Sequence, residues 1–268
     1  MIIDGKAIAE DMYQALAKRR VLLGGDIRLG IVVVGQNPII DSFVRTKERN
    51  ATRLNVEMIR ADLPETATQE EIIAALKDVG ARSDAVIPQL PLPAGIDINS
   101  VLSAVPNDKD VDALNPTISE EDRLVHAPVA LAAVEILERG GVTIKGARTV
   151  VVGAGRLVGK PSTWLLKSLG ANVSLFTLQQ GSIEDLKDAD IIVSGAGNPG
   201  FIKPEHLKEG VALIDAGTSE LKKKIHGDAD PSCATKASVM TPVPGGVGPV
   251  AVAMIFRNLF DLLEKARS

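Results

Sequence analysis

Helical and strand-like hydrophobic patterns alternate along this chain from one end to the other. Ala7–Leu23 carries apolar residues at helical spacing and stops at Gly24-Gly25, where glycine suits a helix end. Arg28–Val34 is a short apolar run that predicts a buried strand, ended by the turn Gly35-Gln-Asn-Pro38. Helical spacing returns over Ile39–Leu54, and Val56–Asp62 predicts a second strand. Thr68–Val79 predicts a helix with a capping box, Thr68 as N-cap and Glu71 three residues on. Asp84–Leu90 predicts a strand running into Pro91-Leu-Pro93; the turn-rich Pro106–Pro116 follows, then a helix over Pro128–Arg139 closed by Gly140-Gly141.

The second half keeps the same grammar. Strand Arg148–Val152 meets a glycine turn and helix Leu157–Leu169; strand Asn172–Phe176, helix Ile183–Lys187 and strands Asp190–Ser194 and Val211–Asp215 come next. A final helix is expected from Val250. Strands and helices alternating at this spacing predict an α/β fold of parallel sheets covered on both faces. At 268 residues the chain exceeds the usual single domain, and the expected boundary lies around Thr117–Val129, with a return across Pro249.

Composition narrows the partners. Apolar residues make up 45%, enough for a sizeable core, while aromatics are only 3%, too few for a base-stacking surface. Thirty basic and 34 acidic residues give a formal net charge of −4, and the one basic run, Lys222-Lys223-Lys224, reads as a solvated turn. Nucleic acid and membrane are therefore not expected partners. No apolar run approaches a membrane span and the N-terminus lacks a signal pattern, so a cytoplasmic location is expected. The single cysteine, Cys233, excludes an intrachain disulfide and a cysteine metal site, and no metal ligands are expected.

Candidate chemistry lies in turns and strand ends. Gly153-Ala-Gly155-Arg-Leu-Val-Gly159 sits between a strand and a helix, where glycines permit a tight turn and close approach of a pyrophosphate to the helix N-terminus. The carboxylate expected at the next strand's end is missing, since Ser174–Gln179 holds neither acid nor base. Phe43 and Lys47 share a helix face, Gln89 closes a strand, and Asp110-Val-Asp112 occupies a turn. Thr241-Pro-Val-Pro-Gly-Gly-Val-Gly-Pro249 alternates residues that fix the backbone with residues that free it. Such a loop suits either a small ligand at open peptide N–H groups or a stiff linker.

In order, Lys6-Ala-Ile-Ala, Phe43-x-x-x-Lys47, Pro88-Gln-Leu-Pro-Leu-Pro93, Lys109-Asp-Val-Asp112, Val158-Gly-Lys-Pro161, Gly197-Asn-Pro-Gly200 and Thr241–Pro249 follow one family's pattern. The chain resembles the methylene-tetrahydrofolate dehydrogenase/methenyl-tetrahydrofolate cyclohydrolase family over essentially its whole length. The resemblance implies a folate-binding catalytic α/β domain formed by 1–120 plus 250–268 and a Rossmann-like dinucleotide-binding domain over 121–249. It also implies a cleft between them and a homodimer. The implied reaction is oxidation of methylene-tetrahydrofolate by hydride transfer to NADP or NAD, then hydrolysis of the methenyl product to formyl-tetrahydrofolate.

By resemblance, Lys47 handles the proton of the attacking water, which suits a lysine whose pKa is lowered by desolvation. Gln89 holds Lys47, Asp112 takes the pterin N–H groups, and Phe43, Pro244, Gly245 and Gly246 line the folate. The implied cofactor residues are Gly153, Ala154, Gly155, Arg156, Val158, Gly159 and Thr177.

The chain also departs from that pattern. Phe43 stands where the family has tyrosine, Ala113 where it has glycine, and Val125-His-Ala-Pro-Val-Ala130 replaces Pro-Cys-Thr-Pro-x-Gly. Ala154 and Leu178 occupy places where arginine and serine commonly hold the 2′-phosphate of NADP, with Arg156 as a neighbouring substitute. NADP and NAD both stay open. A non-catalytic folate- or nucleotide-binding relative, a dehydrogenase with a weakened cyclohydrolase step, and a dehydrogenase of another small metabolite are the alternatives.

Overall fold

The structure, a computed structural model, describes residues 1–35, 38–177, 179, 181–221 and 224–267. Parts of three expected turns or strand ends, at Gln36-Asn37, Leu178 and Lys222-Lys223, lie outside the described residues. Contacts divide the chain into two compact units, Met12–His126 with Ile255–Ser268, and Met1–Asp11 with Ala127–Met254. Helices α1 (Gly5–Leu23) and α7 (Val247–Arg267) contribute residues to both.

The unit containing Met12–His126 is built on a three-stranded parallel sheet of order β2-β1-β3. Its strands are β1 (Arg28–Val34), β2 (Glu57–Leu63) and β3 (Ala85–Pro88). Central strand β1 is buried from Leu29 to Val34, whereas β2 is only partly buried, so the continuous apolar run of β1 follows from cover on both faces. Helix α2 (Pro38–Arg53) connects β1 to β2, and α3 (Gln69–Arg82) connects β2 to β3. Val32, Val34, Ile72, Leu76, Val79 and Val86 pack with Val101 of the short helix α4 (Ile98–Ser103), which Asp97 caps. The capping box forms as expected: Glu71 N–H donates to Thr68 Oγ1 at 3.2 Å, and Thr68 N–H donates to Glu71 Oε2 at 2.8 Å. Asn258 of α7, 1% exposed, donates from Nδ2 to the carbonyls of Val111 and His126, each at 2.8 Å.

The other unit carries a five-stranded parallel sheet of order β10-β7-β6-β4-β5. Its strands are β4 (Arg148–Val152), β5 (Asn172–Phe176), β6 (Ile191–Ser194), β7 (Ala212–Asp215) and β10 (Val239–Met240). A hairpin of β8 (Ser219–Leu221) and β9 (Lys224–His226) stands apart. Helix α5 (Pro128–Arg139) packs beside α6 (Gly159–Ser168). Val150, Val152, Phe176, Leu186, Ile192, Leu213 and Cys233 form one core. Thr149 and Val151, alternating with them on β4, are also fully buried, so both faces are covered. Cys233 donates to the Ile202 carbonyl, and burial pushes its thiol up to about 11, a structural setting.

Two expectations shift, and β10 has no counterpart among the expected elements. The final helix starts at Val247, so Val247-Gly-Pro249 forms its first turn, where proline loses no hydrogen bond. The 183–188 segment is a 3-10 helix, and β10 is only two residues long, too short for a periodic signal. Among the described residues no helix is long and apolar enough to cross a membrane.

Thr68→Ala removes one half of the capping box and is expected to cost about 1 kcal/mol in urea unfolding. Unchanged stability would show that the cap is not carrying the start of α3.

Candidate functional site

In a parallel sheet, a crevice opens where successive crossovers leave one strand in opposite directions, at the carboxyl ends of the strands. The order β2-β1-β3 puts that point between β1 and β3. Gln89 sits there, one residue past β3, its N–H extending the ladder to the Val32 carbonyl at 2.9 Å. Lys47 comes from α2, the helix that follows β1.

The two side chains meet. Lys47 Nζ donates to Gln89 Oε1 at 2.7 Å, and Gln89 Nε2 donates to its neighbour's Leu90 carbonyl at 2.7 Å, which turns the amide oxygen toward the lysine. Lys47 is 7% exposed and Gln89 8%. Burial lowers the Lys47 pKa, and the Asp112 carboxylate partly offsets that shift. Asp112 answers in kind: burial raises its pKa and Lys47 opposes the rise. Phe43, one turn before Lys47, keeps its ring 40% exposed.

The turn carrying Asp112 is fixed from several sides. Lys109 donates to the Gly80 carbonyl and to the Ser83 carbonyl at 2.8 Å, a cation at the end of α3 where carbonyls lack partners. Asp110 accepts the Asn115 N–H at 2.7 Å and lies 3.8 Å from the Arg123 guanidinium. Burial, aided by Asp112, still pushes the Asp110 carboxyl up to about 6. Ala113 adopts φ +54°, left-handed backbone that disfavours a Cβ, at the place where glycine stands in the resembled family.

The other unit repeats the arrangement on a larger sheet. There β4 lies between β5 and β6, so the crevice opens between β4 and β6. Gly153 follows β4 at φ +95°, its N–H on the Phe176 carbonyl at 2.8 Å, beside Thr177 at the end of β5. A methyl on Gly159 would lie 1.9 Å from the Gly153 carbonyl oxygen, so only glycine closes this turn. Ala154 and Gly155 are exposed at its crest, Arg156 is half-buried, and no side chain caps α6 at Val158. These features fit a pyrophosphate, with exposed backbone at a helix N-terminus and room above Gly155. Across the crevice, Gly195 donates to the Val152 carbonyl at 2.9 Å, and a methyl on it would meet the Val158 side chain at 2.6 Å.

Pro244, Gly245 and Gly246 belong to this unit as well. Pro244 is exposed, Gly245 takes φ +105°, and Gly246 donates to the Pro242 carbonyl at 2.8 Å. Gly5, at the start of α1, packs so tightly here that a methyl would lie 1.8 Å from the Gly246 oxygen. The sequence patterns did not mark Gly5, nor the buried acids Asp215 and Asp228, which hold the loops beyond β6 and β7. An acid ending an apolar strand, as in Ile214-Asp215, is the one local signal that could have flagged them.

Comparison with known proteins agrees with both halves. Residues 3–112 match the catalytic-domain model of tetrahydrofolate dehydrogenase/cyclohydrolase, and residues 127–267 match that family's NAD(P)-binding-domain model. The bifunctional protein FolD of Methanoculleus marisnigri is 36% identical, covering 97% of this chain and 95% of its own. The crystal structure of the Campylobacter jejuni bifunctional FolD superposes with a TM-score of 0.93 at 28% identity, covering 99% of both chains. The Trypanosoma brucei enzyme, solved with NADP cofactor and inhibitor, gives a TM-score of 0.92 at 30% identity, covering 100% of this chain and 98% of that one.

Gly159→Ala drives a methyl into the Gly153 carbonyl and is expected to weaken NAD or NADP binding by at least about tenfold in calorimetry. Binding equal to the wild type would show that the turn does not hold the dinucleotide.

Proposed function

Because the chain belongs to the tetrahydrofolate dehydrogenase/cyclohydrolase family, we propose that it oxidises methylene-tetrahydrofolate to methenyl-tetrahydrofolate with NADP or NAD, and hydrolyses the product to formyl-tetrahydrofolate. The observation that carries this reading is the buried Lys47 ammonium on the neutral Gln89 oxygen at 2.7 Å. Folate binding and catalysis are assigned to the domain expected at 1–120 with 250–268 and nucleotide binding to 121–249, although contacts group Met1–Asp11 and Val250–Met254 with the nucleotide-binding unit.

Within this reading, Lys47 moves protons. In its neutral form it accepts a proton from the water attacking the methenyl carbon, and burial makes that form accessible. Gln89 orients the amine without adding a charge that would hold its proton. Asp112 binds the pterin N–H groups, and the Phe43 ring packs on the pterin without a hydroxyl to donate. Pro244, Gly245 and Gly246 bring backbone close to the folate. When bound, NADP or NAD accepts the hydride. Gly153, Ala154, Gly155, Arg156, Val158, Gly159 and Thr177 hold it, and exposed Ala154 offers no cation to a 2′-phosphate.

A cytoplasmic homodimer belongs to the same reading. Support comes from β5, which ends its sheet with Leu175 38% exposed, an edge open to a second copy.

The test follows absorbance at the nicotinamide and methenyl bands with NAD and NADP in parallel. Lys47→Met is expected to slow methenyl hydrolysis by about 10²–10⁴-fold. The wild-type hydrolysis rate should rise with pH through an ionisation below the ordinary lysine range, because the working form is deprotonated and its pKa is lowered. Reduction of neither nicotinamide would contradict the dehydrogenase reading and favour a non-catalytic relative. Normal hydrolysis by Lys47→Met would contradict the role of that lysine.

A further inference from the structure

Beyond the carboxyl ends of β6 and β7 lies a set of buried polar groups that neither proposed step consumes. Asp228 has no exposed surface, yet its carboxylate accepts three hydrogen bonds from one short stretch of chain. Ser194 Oγ and the Ala196 N–H donate to Oδ2 at 2.6 and 2.7 Å, and the Asn198 N–H donates to Oδ1 at 2.8 Å. A buried carboxylate is tolerated only with donors of this kind, so the stretch and the acid hold one another in place.

Asp215, the last residue of β7, fixes Asp228 in turn. Its carboxylate accepts the N–H groups of Gly217 at 2.9 Å, Asp228 at 3.1 Å and Ala229 at 2.8 Å. Its own N–H donates to Thr241 Oγ1 at 2.7 Å, at the start of the Pro-Gly loop. Neither acid has room to move. A methyl on Gly217 would lie 2.5 Å from the Asp228 carboxyl, and one on Gly227 would lie 2.1 Å from Asp215 Oδ2. Burial and the charge of Asp228 push Asp215 up to about 6, against the pull of its N–H donors.

The stretch that Asp228 holds is the β6 wall of the nucleotide crevice. Gly195 pairs with Val152, packs on Val158, and sets the space above Gly153, whose added methyl would meet the Gly195 oxygen at 2.7 Å. A loop in that position, lacking internal strand pairing beyond Gly195, needs an anchor to present a fixed surface.

We propose that Asp228 is a positioning residue for the dinucleotide, its carboxylate fixing Gly195–Asn198 as the second wall of the cofactor site. Asp215 supports Asp228 and ties the same anchor to Thr241. This inference rests on the nucleotide reading of the Gly153–Gly159 turn.

Asp228→Asn keeps the shape but sets an NH₂ group against a donor. The KM for NAD or NADP is expected to rise by about 10- to 100-fold, the loss of charge-assisted hydrogen bonds. The kcat for the dehydrogenase and the rate of methenyl-tetrahydrofolate hydrolysis should stay within about twofold, a split that general destabilisation would not produce. An unchanged KM, or an equal loss in both activities, overturns the proposal. Where Asp228→Asn does not accumulate as folded protein, Ser194→Ala removes one donor; a KM rise of about three- to tenfold with hydrolysis intact supports the proposal, and an unchanged KM overturns it. Calorimetric binding of NAD and NADP to wild type and variant reads the same loss without turnover. A protein that binds dinucleotide yet reduces none with methylene-tetrahydrofolate therefore refutes the proposed reaction and leaves this test standing.

Discussion

The parallel pairing of β1 with β3, and of β4 with β6, is the constraint on which both candidate sites depend. In each sheet the first strand hands the chain to a neighbour on one side, and a later strand returns to the other side. The loops leaving those two strands diverge and leave backbone groups facing a crevice. The strands flanking each crevice, β1 with β3 and β4 with β6, are mostly apolar and buried, so the polar groups of each crevice come from the strand ends and the loops and helices that follow them. Gln89 follows β3, Gly153 follows β4 and Gly195 follows β6, and each makes one last ladder hydrogen bond before the chain turns away.

What distinguishes the first crevice is a cation taken out of water. Burying an ammonium costs several kcal/mol unless its protons are satisfied or one of them is lost. A carboxylate beside Lys47 would hold the proton in place and raise the pKa. Gln89 accepts a hydrogen bond without that charge, and Asp112 offsets the burial only in part. A neutral partner therefore orients the amine while leaving it able to give up and take back a proton. In the second crevice the rule is reversed: carboxylates are buried, and N–H donors from loops pay their desolvation. There the acids stiffen the backbone that meets the nucleotide.

Local features were legible in the sequence because their causes are local. The capping box of Thr68 and Glu71 needs only three residues' spacing, and the Gly153–Gly159 turn needs only a strand before it and a helix after it. Lys47 and Gln89 stand 42 residues apart, and each is ordinary by itself; only their resemblance to a family pattern joined them. Asp215 and Asp228 escaped notice for the same reason, since their partners come from four separate segments. Helix α4 and strand β10 are too short to show a period. The hydrophobic period points to a start of α7 at Val250, three residues past its start at Val247, because prolines and glycines read as loop, although Pro249 fits a first helical turn.

The central claim is that Lys47, buried on a neutral acceptor, loses its proton more readily than an ordinary lysine. A ¹³C NMR titration of the lysine side chains, with Lys47 assigned through Lys47→Arg, measures this directly. The account predicts a Lys47 midpoint below the ordinary lysine value of 10.5, and a fall further still when Asp112 is replaced by asparagine, because the offsetting charge is gone. A midpoint at or above the ordinary value would contradict the account.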